Sequence, residues 1–203
     1  MEITPKNNLA DLFLPLPIYS SVHIADAICK HEEEYKVFIG IEKKYAEQLK
    51  KLSLDDSDVD LQKNTGDRRR FGEGSYEEWY EKNRTPFILV HKQTDKLAAL
   101  VWFGPKSLGK KSLKFGEEEK DKIQNDWHTA VWRSYPTFRG KGLMKAFTSF
   151  VMEIYKEHYP DIGFWLGTDS NNEAMIMLGL KLGFKIDNEN SDLSNNWQVM
   201  VKK

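Results

Sequence analysis

Residues 127–154 constrain the fold of this chain more than any other part of the sequence. Aromatic and β-branched residues predict a strand over 127–134, and the turn Arg139-Gly140-Lys141-Gly142 follows it closely. Beyond the turn, apolar residues recur at helical spacing, at Leu143, Ala146, Phe147, Phe150, Val151 and Ile154. The pattern predicts a strand, a glycine turn and a helix in direct succession.

The glycine turn has the chemistry of an anion-binding site. Glycine lets a backbone come close to a ligand, and the first N–H groups of a helix have no partner inside the helix. The helix dipole favours an anion there, and Arg139 and Lys141 add positive charge. The turn therefore predicts a phosphate or pyrophosphate site, against the alternative of an ordinary helix start with two glycines. Neither the nucleotide P-loop nor the dinucleotide fingerprint is complete here.

Other elements flank this unit. Strands are predicted at residues 87–90, 97–103, 164–167 and 197–201, the first two as an antiparallel hairpin. A helix is predicted from Asn171 or Asn172 to near Gly183. The order of strands and helices predicts an α/β (α+β) fold with a parallel strand pair in its second half.

The first 84 residues predict mainly helices. One helix is expected from Ser20 or Ser21 through Cys29. Another is expected on the apolar spacing of Phe38, Ile41, Tyr45, Leu49 and Leu52. Ser75 and Glu78 form a capping box for a third.

Residues 53–74 predict a long, mobile polar loop. Asp56, Asp58 and Asp60 have the first spacings of a calcium loop, but Leu61 and Asp67 stand where that loop has Gly and Glu. A solvated acidic loop is therefore favoured. The run Arg68-Arg69-Arg70 predicts either a surface face or a grip on phosphate.

Composition excludes several classes of protein. The 203 residues suffice for one domain. A net charge of −1 argues against a general binder of nucleic acid or acidic membranes. The single cysteine, Cys29, excludes an internal disulfide and a cysteine-based zinc cluster, and it favours a reducing compartment. Without a spanning apolar run or a signal-peptide pattern, we expect a cytoplasmic protein.

Two motifs resemble those of the GNAT N-acyltransferase superfamily. The segment 136–143 is similar to its acyl-CoA motif, Gln/Arg-x-x-Gly-x-Gly/Ala, with Arg139 first and Gly142 fourth. About thirty residues later, the segments 172–175 and 181–184 resemble its second signature, which runs from Asn to Leu-Gly-Phe. The resemblance covers about residues 85–203.

The resemblance implies a fold. It is a GNAT-like, mostly antiparallel central sheet with a splayed parallel strand pair and helices on both faces. Residues 1–203 would form one domain, with a helical N-terminal part over 1–84 and a cofactor-binding core over 85–203.

The same resemblance implies that acetyl-CoA or a related acyl-CoA binds as co-substrate, with no metal. Its pyrophosphate would lie on the backbone of Arg139, Gly140, Lys141, Gly142, Leu143, Met144 and Lys145. Pantetheine would pair like a strand with Trp132, Arg133 and Ser134. Asn172, or Asn171, would bond it at the start of the second helix. Met144 departs from the family's final Gly/Ala, so its side chain must turn away from the pyrophosphate.

The implied chemistry is direct attack of an amine on the thioester, with an oxyanion stabilised by a backbone N–H near Ser134. Histone-type members carry a Glu base eleven residues before the motif, where this chain has His128. The alternative for His128 is a packing role, and Asp126 and Asp169 are weaker base candidates. Gly179 stands where many members have a Tyr that protonates the leaving thiolate.

We therefore expect an N-acyltransferase acting on a small-molecule or peptide amine, as a monomer or homodimer, with no nucleic-acid or membrane partner. A non-catalytic acyl-CoA-binding or sensor module is the alternative, because Gly179 replaces the usual acid. The acceptor pocket would come from residues 32–74 and 104–126, with Trp79, Trp102 and Trp165 as candidate lining residues.

Overall fold

The computed structural model describes residues 1–6, 12–30, 32–111 and 126–203. Their strands form one nine-stranded sheet in the order β1-β2-β3-β4-β5-β6-β7-β9-β8. The strands are β1 Glu2–Pro5, β2 Ser21–Ile28, β3 Glu34–Gly40, β4 Thr85–His91, β5 Lys96–Pro105, β6 Trp127–Ser134, β7 Gly163–Asp169, β8 Lys185–Asp192 and β9 Trp197–Lys202. The helices are α1 Lys43–Ser53, α2 Val59–Asn64, α3 Tyr76–Tyr80, α4 Leu143–His158 and α5 Glu173–Lys181, with a π-helical turn at Arg68–Gly72. Short 3-10 turns lie at Pro136–Phe138 and Leu193–Asn195.

The parallel strand pair β6–β7 opens partway along its length. Every other neighbouring pair in the sheet is antiparallel. β6 and β7 pair only from Trp127 with Gly163 to Thr129 with Trp165. Beyond that register β6 continues to Ser134 and β7 to Asp169 as separate strands. The predicted splayed pair in a mixed, mostly antiparallel sheet is confirmed.

Helices cover both faces of the sheet. On one face α4 packs its apolar stripe, including Phe147 and Val151, against Val101 and Phe103 of β5. On the other face, α1, the π-helical turn and α3 surround Trp102. No helix in the described ranges combines the length and hydrophobicity that crossing a bilayer requires.

The second half of the chain follows the sequence prediction closely. The predicted hairpin is β4–β5, the predicted strand 127–134 is β6, and β7 and β9 contain the other two predicted strands. α4 begins at Leu143, and Asn172 caps α5. These elements were recognisable because each has a strong local apolar pattern.

The first half requires corrections. The predicted helix through Cys29 is strand β2, whose apolar alternation is interrupted by a register shift between His23 and Ala25. The next predicted helix begins only at Lys43, and Phe38 belongs to β3. Strand β8 was missed because its sequence KIDNENSD is almost entirely polar.

Residues 53–74 are also not the predicted polar loop. They contain α2 and the π-helical turn, and Asp58 and Asp67 are buried. The prediction of a solvated acidic loop is wrong for these two residues. Both carboxylates form ion pairs with arginines far along the chain, which a local sequence pattern does not reveal.

Candidate functional site

An open cleft of about 980 Å³ lies where β6 and β7 separate. Thr129, Val131 and Arg133 line it from β6, and Gly167 and Thr168 line it from β7. The other walls come from α2, the π-helical turn, α3, the end of β5 and the start of α5. The cleft therefore opens mainly on the face of the sheet opposite α4.

The glycine turn lies at one end of this cleft. Gly140 has φ +75° and Gly142 has φ +71°, a left-handed conformation that glycine adopts without strain. A Cβ added at either position would meet nothing within 4 Å, so the space outside the turn is open. Gly142 is the N-cap of α4 and supplies no capping side chain. The first N–H groups of α4 are therefore available to an anion.

The two cations of the turn are already paired. Arg139 donates from Nη1 and Nη2 to the two carboxylate oxygens of Asp58, at 2.7 and 2.6 Å, and from Nε to the Ser134 carbonyl at 2.9 Å. Lys141 Nζ donates to Glu33 Oε1 at 2.6 Å, which lowers the pKa of that carboxyl. Backbone N–H groups, more than free charge, thus give this turn its capacity for an anion.

A second ion-pair cluster fixes the end of β6. Arg133 Nε donates to Asp67 Oδ2 at 2.7 Å, and Arg70 Nη1 donates to Asp67 Oδ1 at 2.5 Å. Burial raises the pKa of Asp67, but the two guanidinium groups outweigh that effect and lower it overall. The cluster joins the π-helical turn to the strand that borders the cleft.

Solved structures share this architecture over most of the chain. The GNAT domain of the S. lividans protein PAT has a TM-score of 0.59 at 13% identity, covering 87% of this chain and 94% of its own. The ribosomal-protein-S5-alanine acetyltransferase from Vibrio fischeri has a TM-score of 0.58 at 13% identity, covering 87% of this chain and 95% of its own. This chain has the GNAT fold. RimL, a ribosomal L7/L12 alpha-N-protein acetyltransferase in complex with coenzyme A, has a TM-score of 0.55 at 12% identity, covering 82% of this chain and 93% of its own. No family model matches the sequence, and no curated protein matches it.

Several residues named by the GNAT resemblance meet at the cleft. Trp132, Arg133 and Ser134 line it, as do Arg139, Gly140 and Met144. Lys141, Gly142, Leu143 and Lys145 are not among the described lining residues; Leu143 has its side chain buried in the α4 core. The three tryptophans Trp79, Trp102 and Trp165 also line the cleft. Residues 112–125 of the predicted acceptor segment 104–126 lie outside the described residues.

The structure distinguishes the two candidate asparagines. Asn172 lines the cleft and caps α5 by accepting from Met175 N at 3.2 Å. Asn171 is exposed, is not a lining residue, and donates from its side chain to Asp169 Oδ1 at 3.1 Å. Of the two, Asn172 is therefore the better placed to bond a ligand in the cleft.

Gly179 is small for a packing reason. A Cβ there would lie 3.1 Å from Met200 Sδ and 3.4 Å from Leu166 Cδ2. The helix thus approaches the sheet closely at this point, and a side chain there would require the Met200 side chain or α5 to move. The phenol that the GNAT resemblance leads one to expect is absent from this position.

His128 lies on the α4 face. It is 6% exposed, and its Nδ1 lies 2.7 Å from the Tyr155 hydroxyl oxygen. Burial, and secondarily the charge of Arg84, lower its pKa to about 4. His128 is not among the described residues that line the cleft, and neither are Asp126 and Asp169. Its role as a base stays a prediction, and this position favours the packing alternative.

Sequence reasoning missed Arg84 as a residue of the cleft. Arg84 lies between α3 and β4 and lines the cleft near Pro105. A single arginine before a predicted strand carries no local signal of a site. Only the antiparallel pairing of β4 with β5 brings it to the cleft.

Proposed function

We propose that this chain is an N-acyltransferase that moves an acetyl or related acyl group from acyl-CoA to an amine. The observation that carries the proposal is the cleft between the separated ends of β6 and β7, which ends at the open glycine turn and the N-terminus of α4. A thioester with a long pantetheine arm and a pyrophosphate fits such a site, because a strand edge and a helix N-terminus recognise those two parts separately.

In this proposal the N–H groups at the start of α4 bind the pyrophosphate. Arg139 acts chiefly by fixing the turn, because its guanidinium is held by Asp58 and the Ser134 carbonyl. Pantetheine runs along β6 past Ser134, Arg133 and Trp132, and Asn172 bonds it from α5. The acyl group then lies deeper in the cleft, near the point where β6 and β7 join.

The chemistry needs no covalent enzyme intermediate. A neutral amine attacks the thioester carbonyl, a backbone N–H near Ser134 stabilises the oxyanion, and collapse expels the coenzyme A thiolate. The amine loses one proton and the thiolate gains one. Because His128 and Gly179 supply no group in the cleft, water in this open site is the simplest carrier of both protons. The acceptor is a small-molecule or peptide amine, and the site of action is the cytoplasm.

A melting experiment tests cofactor binding. Acetyl-CoA at a hundred times its dissociation constant stabilises a fold by about 2.7 kcal/mol. In a chain of this size that corresponds to a rise in Tm of roughly 5–10 °C. Gly142→Asp should abolish most of the rise, because it places a carboxylate at the proposed pyrophosphate site.

Gly183→Asp is the matched control. Gly183 also has a positive φ, +86°, and the atoms nearest to an added Cβ are those of the Lys202 side chain at 3.8 Å. The substitution Gly183→Asp therefore introduces the same backbone strain and the same negative charge as Gly142→Asp, but away from the cleft. Unchanged Tm of the wild-type protein in acetyl-CoA would refute the proposal. Release of coenzyme A with a panel of amines then separates an enzyme from a binding module that lacks turnover.

A further inference from the structure

The cleft is more basic than the chain as a whole. Nine basic and three acidic side chains line it among the described residues, although the chain has a net charge of −1. The basic ones are Arg69, Arg70, Lys82, Arg84, Lys106, Lys110, Lys111, Arg133 and Arg139, and the acidic ones are Asp60, Glu78 and Glu81. Four of the nine, Arg70, Lys111, Arg133 and Arg139, form ion pairs with Asp67, Asp192 or Asp58, which do not line the cleft. The excess of positive charge is therefore smaller than the count, but an excess of one sign in a concave site attracts anions.

Arg84 stands out within this set. It is partly buried, and its Nη1 donates to the Pro105 carbonyl at 3.1 Å. Within residues 1–6, 12–30, 32–111 and 126–203, no carboxylate forms an ion pair with it. Burial, and then the charge of Arg70, lower the pKa of Arg84 to about 10. A desolvated cation without a counter-ion is costly for a fold and therefore suited to an anionic ligand.

The neighbouring ion pairs do not compensate for this charge. Arg70 and Arg133 share the single carboxylate of Asp67. Both guanidinium groups also lie against the Trp102 ring, at 5.5 and 5.2 Å from its centroid. Among the residues that the structure describes, these three arginines have one buried carboxylate between them, an excess of two positive charges.

Arg84 itself lies away from the glycine turn. Arg84 bonds Pro105, whose neighbour Gly104 pairs with Thr129, the last β6 residue joined to β7. From Thr129 to Ser134 the strand advances five residues, about 16 Å at the usual strand rise. Arg84 is therefore at the closed end of the separated strands, whereas the proposed pyrophosphate site is at the open end.

We infer that the acceptor amine carries an oxyanion, a carboxylate or a phosphate, that binds Arg84 with support from Arg70. Arginine pairs with both groups through two parallel N–H donors, and it does so best where water is excluded. The inference rests on the proposed function, because the proposed function places the acyl group at the closed end of the cleft, beside Arg84. It adds the substrate class: an amino acid, a peptide with a free carboxylate, or an amine phosphate.

Matched amines test the inference in the wild-type protein. We would compare β-alanine, leucine and Gly-Ala with their amides, and ethanolamine phosphate with ethanolamine. The readouts are release of coenzyme A from acetyl-CoA and the Tm of the protein saturated with coenzyme A. At least one acid should exceed its neutral partner about tenfold in kcat/KM or in affinity. The carboxylate and phosphate pairs distinguish the two kinds of oxyanion.

Variants then identify the binding residue. Arg84→Gln should reduce the acid preference about tenfold without changing the KM for acetyl-CoA, and Arg84→Lys should restore part of it. Lys185→Gln removes one exposed charge on β8, outside the cleft lining, and should leave the preference intact.

The outcomes separate the two proposals. If acetyl-CoA raises the Tm but no acid exceeds its neutral partner by either readout, the inference is overturned and the proposed function stands. The inference is also overturned if the acid preference survives Arg84→Gln. If acetyl-CoA does not raise the Tm, the proposed function fails, and the inference fails with it.

Discussion

At the residue scale, the position of His128 determines what pH dependence to expect. Its ring contacts Tyr155 and Tyr159, with centroids 5.7 and 5.3 Å away, and its pKa is lowered to about 4 by burial and then by Arg84. Such a ring is neutral throughout the range from pH 6 to 9. We therefore expect no rise of activity near neutrality that depends on His128.

His128→Ala tests this directly. The variant leaves a cavity and an unpaired Tyr155 hydroxyl, so we expect a loss of about 2–4 kcal/mol in the free energy of unfolding. Turnover of the folded fraction should stay within about threefold of the wild type. Tyr155→Phe is the control, because it removes the same hydrogen bond without the cavity. A hundredfold loss of turnover at unchanged stability would instead establish His128 as the base.

At the element scale, two aspartate–arginine contacts attach residues 53–74 to the glycine turn and to the sheet. Asp58 in front of α2 holds Arg139 in front of α4, and Asp67 in front of the π-helical turn holds Arg133 of β6. These contacts hold residues 53–74 in place as a wall of the cleft. They also place the wall's stability in buried ion pairs, where loss of one partner leaves an uncompensated charge.

Asp67→Asn should therefore destabilise the protein by about 3–5 kcal/mol. It should also expose the Arg68-Arg69-Arg70 run to trypsin, whereas the wild type should resist cleavage there. Asp56→Asn is the control, because Asp56 pairs with Arg68 while 86% exposed and should cost less than about 1 kcal/mol. Rapid cleavage of the wild type at this run would show that the segment is as mobile as its sequence suggests.

The difference between these elements explains what sequence could predict. β6, α4 and α5 have apolar periodicity of their own, and the glycines at 140 and 142 mark the turn between them. α2 and the π-helical turn depend on Asp58 and Asp67, whose arginine partners lie 81 and 66 residues away. The role of Arg84 depends likewise on strand pairing. Elements and sites marked by a local sequence pattern were therefore predictable, whereas contacts between residues far apart in the chain were not.

At the scale of the whole molecule, the sheet separates the two larger of the three apolar clusters formed by the described residues. Titratable groups buried beside the sheet contribute to the loss of stability in acid. His128 has a lowered pKa in the folded state, so the folded protein disfavours its protonation. Its contribution is complete above the unfolded value near 6.5 and is lost as the pH falls towards about 4. The carboxyl of Asp67, also lowered, adds a further loss below the ordinary aspartate range.

We therefore expect the free energy of unfolding to fall between pH 6.5 and 4, by on the order of 3 kcal/mol at most from His128. Urea denaturation at half-unit pH intervals measures this slope. His128→Gln should flatten the curve in that window, because the titrating group is gone. His91→Gln, at the end of β4 and hydrogen-bonded to Thr94, is the control and should retain the wild-type slope. A wild-type curve that stays level from pH 6.5 to 4 would contradict the burial of a neutral His128 between the sheet and α4.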